Sequence, residues 1–165
     1  MTQALRKARG ALAIDVLVES DHWRQDGEAA AVARQAVTEA ATALSTGRAE
    51  LAIVLTDDSA MRALNRAWRG VDKATNVLSF PTQHSDETPR LLGDIVLAYE
   101  TIAREARSQR KPFAHHVAHL AVHGFLHLLG YDHERRTDAE AMERTEREIL
   151  QRLAVPDPYG HPAKA

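Results

Sequence analysis

Alternating and continuous apolar runs predict four β-strands. Apolar residues occupy every second position of residues 12–18, which is the pattern of a strand with one buried face. Residues 51–55 are a short apolar run of the kind that forms a buried strand. Residues 76–80, which stop at Pro81, and residues 93–98 are the two further predicted strands. These segments lie far enough apart for helices to connect them.

Helical spacing of apolar residues accounts for most of those connections. Residues 28–44 are rich in alanine at helical spacing and follow a polar connection at residues 21–27. Capping residues at 56–59 predict a second helix that ends at Gly70, and residues 100–108 predict a third. Strands and helices therefore alternate from residue 12 to residue 80, and a further strand follows before the third helix.

The most apolar segment is a helix predicted over residues 113–129, with Pro112 suited to its first turn. Nearly every side chain in it is apolar or histidine. Because a helix that is apolar on all sides is usually buried, we expect this helix to lie at the centre of the fold. Thr137 and Glu140 have the spacing of a capping box and predict the start of a last helix.

The element order β-α-β-α-β-β-α-α-α predicts a single α+β domain, with α and β layers. About four strands form a mixed sheet that packs against the helices. We expect the domain to span residues 1–155, and residues 156–165, with three prolines, to form a flexible C-terminal tail. Residues 82–90 are polar and predict a mobile loop.

Composition narrows the function only by exclusion. The 165-residue chain has no cysteine, which rules out disulfides and thiolate metal sites and is consistent with a reducing compartment. No apolar run is long enough to span a membrane, and residues 1–10 do not have the pattern of a signal peptide. The formal net charge of −2 means that a nucleic-acid partner would need a local basic patch.

Three histidines mark the candidate functional site. His123 and His127 are four residues apart, so in a helix they project from one face, about 6 Å apart along the axis. Gly130 is suited to ending the helix in the left-handed conformation, after which His133 can return toward the pair. Three imidazoles hold a tetrahedral Zn²⁺ with one position open to water, as in catalytic zinc sites. The sequence thus predicts a single zinc ion on His123, His127 and His133.

The order H-x-x-x-H-x-x-G-x-x-H has the spacing of metzincin zinc proteases, with one departure. Those proteases carry a glutamate, their general base, directly after the first histidine, whereas this chain has Gly124. The spacing therefore predicts a metal site and argues against standard peptidase chemistry. Histidines that merely lie on a helix surface or in the core are the alternative, and the glycine stop and third histidine disfavour it.

Three sequence blocks give the chain a family resemblance. They are residues 64–70 with 74–81 (LNRAWRG and ATNVLSFP), residues 92–95 (LGDI) and residues 119–133, which end in GYDH. With these blocks the chain resembles the YbeY family of bacterial metal-dependent endoribonucleases over about residues 50 to 150.

The resemblance implies a cytoplasmic, zinc-dependent enzyme that cleaves single-stranded RNA. It implies a role in ribosomal RNA maturation, at the 3′ end of the small-subunit RNA, and in ribosome quality control. The expected partners are ribosomal RNA and the ribosome or its small-subunit proteins, with no membrane and no DNA. The nucleophile stays open between a water on the metal and the 2′-hydroxyl of the RNA.

Arg69 is the candidate for a fixed cation at the site. A phosphodiester substrate is anionic, and a guanidinium matches its oxygens with paired donors. The resemblance places Arg69 at the functional arginine of the family. The alternative is an exposed arginine favoured by the helix dipole at a C-terminal end. We therefore assign Arg69 and His123 as catalytic residues.

Three other histidines and one aspartate lie near the motif. His119 lies one turn before His123, and a buried, hydrogen-bonded histidine is favoured over contact with the metal site or substrate. His115 and His116 are expected on the surface of the first turn. Asp132 either orients a ligating imidazole or stabilises the turn, and the sequence favours neither.

Three upstream residues have less defined roles. Asp94 opens a strand and is more easily read as an ordinary strand residue than as support for a metal ligand. Asn65 either braces the helix that carries Arg69 or is a polar surface residue. Trp68 is expected in the core rather than as a platform for stacking RNA bases.

Two other functions compete with the ribonuclease. One is a metzincin-like zinc peptidase or another metallohydrolase, against which Gly124 and Arg69 argue. The other is a ribosome-associated factor with a structural zinc, which a fourth protein ligand such as His119 would favour.

Overall fold

The structure, a computed structural model, describes residues 12–82 and 89–160 and contains four strands and six helices in those ranges. In chain order the elements are β1 (Leu12–Val18), α1 (Asp21–Gln25), α2 (Ala29–Ala43), β2 (Ala49–Thr56), α3 (Asp58–Arg69), β3 (Val77–Pro81), β4 (Arg90–Ala98), α4 (Tyr99–Ser108), α5 (Phe113–Leu128) and α6 (Arg136–Arg152). Every predicted strand and helix is present. Most of the predicted mobile loop, residues 83–88, lies outside the described ranges.

The strands form one mixed sheet in the order β1-β2-β4-β3. β1, β2 and β4 are parallel, and β3 runs antiparallel to β4 at the edge. This arrangement confirms the predicted α+β class and the four-stranded mixed sheet.

The short helix α1 is an element that the polar connection predicted at residues 21–27 did not contain. Ser20 caps it by accepting the backbone N–H of His22 at 3.3 Å. Trp23 is buried, and its Nε1–H donates to the carbonyl of Thr56 at 2.8 Å. Five residues are too few to show helical periodicity, so the pattern along the chain could not identify this helix.

Helix α5 is the central helix of the main core, as predicted. It packs against one face of the sheet and against α2, and its residues Val117, Val122 and Phe125 are fully buried. A smaller core on the opposite face of the sheet includes Met61 of α3. Gly124 allows α5 to approach the sheet closely, because a Cβ there would lie 2.8 Å from the Cγ2 of Ile95.

Helix α6 begins differently from the prediction. It starts at Arg136 after Arg135, and no side chain caps its first turn, so the capping box predicted from Thr137 and Glu140 is wrong. Glu140 instead pairs with Arg136 at 3.3 Å. The Glu140 carboxylate, which the capping box required, forms an i, i+4 ion pair on the helix surface instead.

The chain after α6 folds back onto the domain as far as the structure describes it. Tyr159 hydrogen-bonds to Glu146 of α6, so the segment that includes Tyr159 contacts the domain rather than leaving it as a free tail. Residues 161–165 lie outside the described ranges, and the flexibility of the tail stays a prediction. Within the described ranges, no helix combines the length and the hydropathy that a membrane span requires.

Candidate metal centre

The C-terminal end of α5 brings the three predicted histidines together. His123 and His127 lie one turn apart, with ring centres separated by 4.6 Å. Gly130, at φ 97°, ends the helix in the left-handed region, and the N–H of Tyr131 donates to the carbonyl of Leu126 at 3.0 Å. After this turn, the ring centre of His133 lies 5.0 Å from that of His127.

The nitrogen atoms of these rings have the spacing of metal ligands. The Nε2 atoms of His123 and His127 lie 3.1 Å apart, and the three candidate donor atoms lie within 4.8 Å of one another. Two nitrogens bound to a tetrahedral zinc at about 2.0–2.1 Å are separated by roughly 3.3 Å. The donor set and its spacing therefore fit Zn²⁺, and His133 is the most exposed of the three histidines.

Burial favours the neutral form of His127, which is the form that can bind a metal ion. Burial lowers the pKa of His127 below its ordinary value, and charge on the neighbouring His123 and His133 rings would lower it further. A neutral imidazole keeps the lone pair that a metal ion accepts. The environment of His127 therefore favours the protonation state that metal binding requires.

Glu146 of α6 orients His123 and was not identified from the sequence. Its carboxylate is fully buried, and one oxygen accepts a hydrogen bond from Nδ1 of His123. Burial alone would raise the pKa of Glu146, but hydrogen bonds from His119, His123 and Tyr159 lower it to about 2. Because an ionised carboxylate only accepts, Nδ1 of His123 is the nitrogen that donates to Glu146, and Nε2 is the nitrogen that faces His127.

One sequence signal pointed to Glu146. The buried face of α6 contains Met142, Ile149 and Leu150, and Glu146 lies on that same face, four residues after Met142. A carboxylate in an apolar stripe needs buried partners. The sequence could not identify those partners, because they lie on α5 and beyond α6.

His119 is mostly buried and hydrogen-bonded, as predicted, and its partner belongs to the site. Its Nε2 lies 3.1 Å from Oε2 of Glu146. In the described part of the chain, His119 groups with His123 and Glu146 rather than with His127 and His133. It therefore supports the carboxylate and is not the fourth ligand of the three-histidine group.

Arg69 ends α3 as an exposed side chain. Its Nη1 lies 3.4 Å from Oδ1 of Asn65, and the Nδ2 of Asn65 donates to the carbonyl of Lys73 at 2.8 Å. Asn65 is buried, so it braces the end of the arginine helix. Between the residues that the structure describes, no hydrogen bond or ion pair links Arg69 to the histidines, and its catalytic role stays a prediction.

Two of the remaining predictions need correction. Trp68 is 71% exposed and packs edge-on against Phe80, so it is not a core residue. His116 is buried and bonds Oε1 of Glu105 at 2.9 Å, so it is not a surface residue. Trp68 lies on α3 and lines an open groove between this helix and the sheet. His116 can be buried because α4 supplies Glu105 as its hydrogen-bond partner.

Among the described residues, neither aspartate forms a hydrogen bond or an ion pair with the side chains of the three histidines. Asp132 accepts the N–H of Glu134 at 3.3 Å, a contact that stabilises the turn. Asp94 pairs across the strands with Phe80 and lines a groove with Trp68 on the α3 side of the sheet. Because α5 lies on the other face, Asp94 is not placed to orient a metal ligand.

The geometry also accounts for the missing peptidase glutamate. A Cβ at position 124 would lie 3.1 Å from Oγ of Ser79 as well as against Ile95, and the carbonyl of Gly124 accepts the Ser79 hydroxyl at 2.7 Å. This contact between α5 and the edge strand leaves no room for a side chain. A glutamate base at position 124 is therefore incompatible with this packing.

The chain is similar to proteins of one family along nearly its whole length. The family model described as Endoribonuclease YbeY matches residues 17–154. An endoribonuclease YbeY of Rhodopseudomonas palustris is 53% identical over 160 residues, which cover 93% of each chain. The endoribonuclease YbeY of Nitrobacter winogradskyi is 54% identical over 158 residues, which cover 91% of this chain and 83% of that protein.

A solved structure shares the fold. The solution structure of a Thermotoga maritima protein has a TM-score of 0.53 and 23% sequence identity, and the match covers 92% of this chain and 99% of the other. The extent of the family match and the identity with the curated relatives show that this chain belongs to the endoribonuclease YbeY family.

Proposed function

We propose that this protein is a zinc-dependent endoribonuclease that cleaves single-stranded RNA. The observation that carries the proposal is the group formed by His123, His127 and His133, with Glu146 orienting the first of them. Family membership supports RNA as the substrate. The proposal includes maturation of the 3′ end of small-subunit ribosomal RNA and ribosome quality control, with the ribosome or its small-subunit proteins as partners, in the cytoplasm.

The residues divide the chemistry between them. The three histidines would hold the zinc ion, which would polarise a phosphoryl oxygen and lower the pKa of a bound water. Glu146 keeps the Nδ1 proton of His123 in place. Arg69 presents paired N–H donors to a phosphate, where charge increases in the transition state.

The hydrogen-bond pattern of the edge strand bears on the competing peptidase function. The carbonyl of Asn76 accepts the N–H of Ala98 at 3.0 Å, and the N–H of Thr82 donates to Leu92 at 3.1 Å. In an antiparallel pair, every second residue bonds to the neighbouring strand. The even-numbered residues of β3 therefore bond to β4, and its odd-numbered residues direct their backbone groups away from the sheet.

Those outward groups are poorly suited to binding an extended peptide. The N–H of Val77 is taken by Oδ1 of Asn76 at 2.7 Å, and Pro81 has no N–H. Within β3 this leaves Ser79 as the outward donor. Adding a peptide strand to a sheet edge relies on a series of backbone hydrogen bonds. The edge strand and Gly124 thus both favour a ribonuclease over a peptidase.

A structural zinc site would close all four metal positions with protein ligands. His119 is the residue that could have supplied the fourth ligand, and it is bonded to Glu146 instead. This observation supports a catalytic rather than a structural zinc.

The test is to incubate zinc-loaded protein with single-stranded RNA, with duplex RNA and with casein, beside a His123→Ala control. We expect cleavage of the single strand by the parent protein, little cleavage of the duplex and no cleavage of casein. The ends of the products identify the nucleophile, because attack by the 2′-hydroxyl leaves a 2′,3′-cyclic phosphate and a 5′-hydroxyl. Casein cleavage, or RNA cleavage that survives His123→Ala at full strength, would contradict the proposal.

A further inference from the structure

A second cluster lies behind the metal-binding histidines and centres on the buried carboxylate of Glu146. Its Oε1 accepts from Nδ1 of His123, and its Oε2 accepts from Nε2 of His119 at 3.1 Å and from the hydroxyl of Tyr159 at 2.5 Å. A buried carboxylate depends on such donors to replace the water it has lost. Tyr159 therefore supplies one of the three side-chain donors that hold Glu146.

Contacts with α5 and α6 fix the position of Tyr159, although it lies beyond the last helix. Its backbone N–H donates to Oδ1 of Asp157 at 2.8 Å, and Oδ2 of Asp157 pairs with Nε of Arg147 at 3.1 Å. The Arg147 guanidinium also lies 5.7 Å from the centre of the Tyr159 ring. The ring meets His119 edge to face, with centroids 5.6 Å apart.

We propose that Tyr159 is a positioning residue for the metal, because through Glu146 it holds His123 with Nδ1–H toward the carboxylate and Nε2 toward His127. The inference rests on the metal site of the proposed function. It assigns to the chain beyond α6 a part in metal binding that spacing in the sequence does not indicate.

His119 cannot replace the tyrosine. In the neutral state its one N–H is on Nε2, where it already donates to Glu146, and its Nδ1 is buried without a hydrogen-bond partner among the described residues. Without the Tyr159 hydroxyl, Oε2 keeps a single donor and the carboxylate can turn or admit water. His123 then loses the fixed acceptor that selects one tautomer.

The first measurement is zinc affinity by competition with a chelator. Loss of a partner behind a metal ligand typically weakens metal binding 10–100-fold, so we expect about tenfold weakening in Tyr159→Phe, which is one contact further away. The matched control is Tyr99→Phe. The Tyr99 ring packs against Trp23 and Phe113, which are not part of the Glu146 cluster, and its hydroxyl has no hydrogen bond among the described residues. We expect the control to bind zinc as the parent does.

The second measurement is the tautomer of His123 in metal-free protein, read from ¹⁵N chemical shifts. We expect the Nδ1–H tautomer in the parent and in Tyr99→Phe, and a mixture of tautomers in Tyr159→Phe. An unchanged tautomer in Tyr159→Phe overturns the inference, whatever the zinc affinity does. If Tyr159→Phe fails to fold, Asp157→Asn loosens the same segment and carries the same test.

The two measurements separate this inference from the proposed function. If the parent binds no zinc, the metal site is wrong, and the tautomer measurement still decides whether Tyr159 orients His123. If the parent binds zinc and Tyr159→Phe matches it in affinity and tautomer, the metal site stands and the role of Tyr159 is wrong.

Discussion

Two of the histidine–carboxylate pairs of helix α5, one near its start and one near its end, differ in what surrounds the second ring nitrogen. Near its start, Nε2 of His116 bonds Oε1 of Glu105 at 2.9 Å. Near its end, Nδ1 of His123 bonds Glu146. In each pair one nitrogen is held by a buried or half-buried acid from a neighbouring helix.

The second nitrogens have opposite environments. The free Nδ1 of His116 is buried with no partner in the described part of the chain, and burial lowers the pKa of this histidine. The free Nε2 of His123 faces the matching atom of His127 at 3.1 Å. A carboxylate behind a histidine therefore does not make it a metal ligand, because a ligand also needs its other nitrogen to face further donors and open space.

The comparison is tested most directly by removing each histidine. His123→Ala removes a ligand, so we expect elemental analysis to show zinc falling from about one per chain to near zero. His116→Ala removes a buried, hydrogen-bonded ring, so we expect the protein to retain zinc while its free energy of unfolding falls by about 1–3 kcal/mol. Full zinc in His123→Ala, or loss of zinc in a folded His116→Ala, would show that the two pairs do not differ as described.

Arg69 belongs to neither pair and tests whether metal binding and cleavage are separable. Arg69→Ala should keep fold and zinc but lose cleavage, because removing a preorganised donor to developing charge commonly costs about 3 kcal/mol, on the order of a hundredfold in rate. Arg69→Lys should restore only part of the cleavage rate, since lysine lacks the planar pair of donors.

The measurement for Arg69 is the single-turnover rate at saturating RNA, with zinc content confirmed. The control is Arg66→Ala, which removes an exposed arginine from the same helix. If Arg69 contributes only to a diffuse attraction for RNA, its loss weakens binding and flattens the salt dependence but leaves this rate unchanged. A rate within a few-fold of the parent would remove Arg69 from the catalytic residues.

The acids of the two pairs provide the next test. Glu146→Gln keeps the size of the side chain but supplies an amide in place of an ionised acceptor, so we expect zinc affinity to fall about 10–100-fold. Glu105→Gln makes the same change beside His116 and should leave zinc affinity unaltered. Equal affinities in the two variants, measured by chelator competition, would mean that the acid behind His123 does not prepare the ligand.

The sequence could predict the parts of this molecule that depend on local periodicity. Alternation in residues 12–18 predicted a strand, and the apolar character of α5 predicted the central helix. The spacing of His123 and His127 predicted that these histidines lie side by side, because each of these features depends on residues close together in the chain. Local patterns were less reliable where one side chain has two possible hydrogen-bond partners. Glu140 bonds Arg136 rather than capping α6.

Contacts between distant segments were beyond the sequence. Glu146 is 23 positions from His123, and nothing in the spacing of either residue indicates that α6 crosses α5 at this point. His116 was expected on the surface because it follows the helix start, and it is buried because α4 supplies Glu105. The exposure of Trp68 likewise depends on where α3 meets the sheet.

The smallest effect we predict is a pH dependence of stability that comes from the pair at the start of α5. Burial lowers the pKa of His116, the hydrogen bond and charge of Glu105 oppose this shift, and the positive charge of Lys111, with that of His119 whenever it is protonated, adds to it. The unfolded chain has the ordinary histidine pKa of about 6.5 and so binds a proton before the folded chain does as the pH falls. The contribution of neutral His116 is therefore fully present above the unfolded pKa and is lost as the pH falls through the folded pKa.

The measurement for this last prediction is the free energy of unfolding against pH from 5 to 8, in the parent and in His116→Gln. Glutamine is polar and does not titrate, so the variant should lose less stability than the parent as the pH falls. The metal-binding histidines are common to both proteins, and their protonation cancels when the two curves are subtracted. The difference should shrink or reverse toward low pH, whereas a constant difference over the whole range would show that His116 has the same pKa folded and unfolded and that its burial does not keep it neutral.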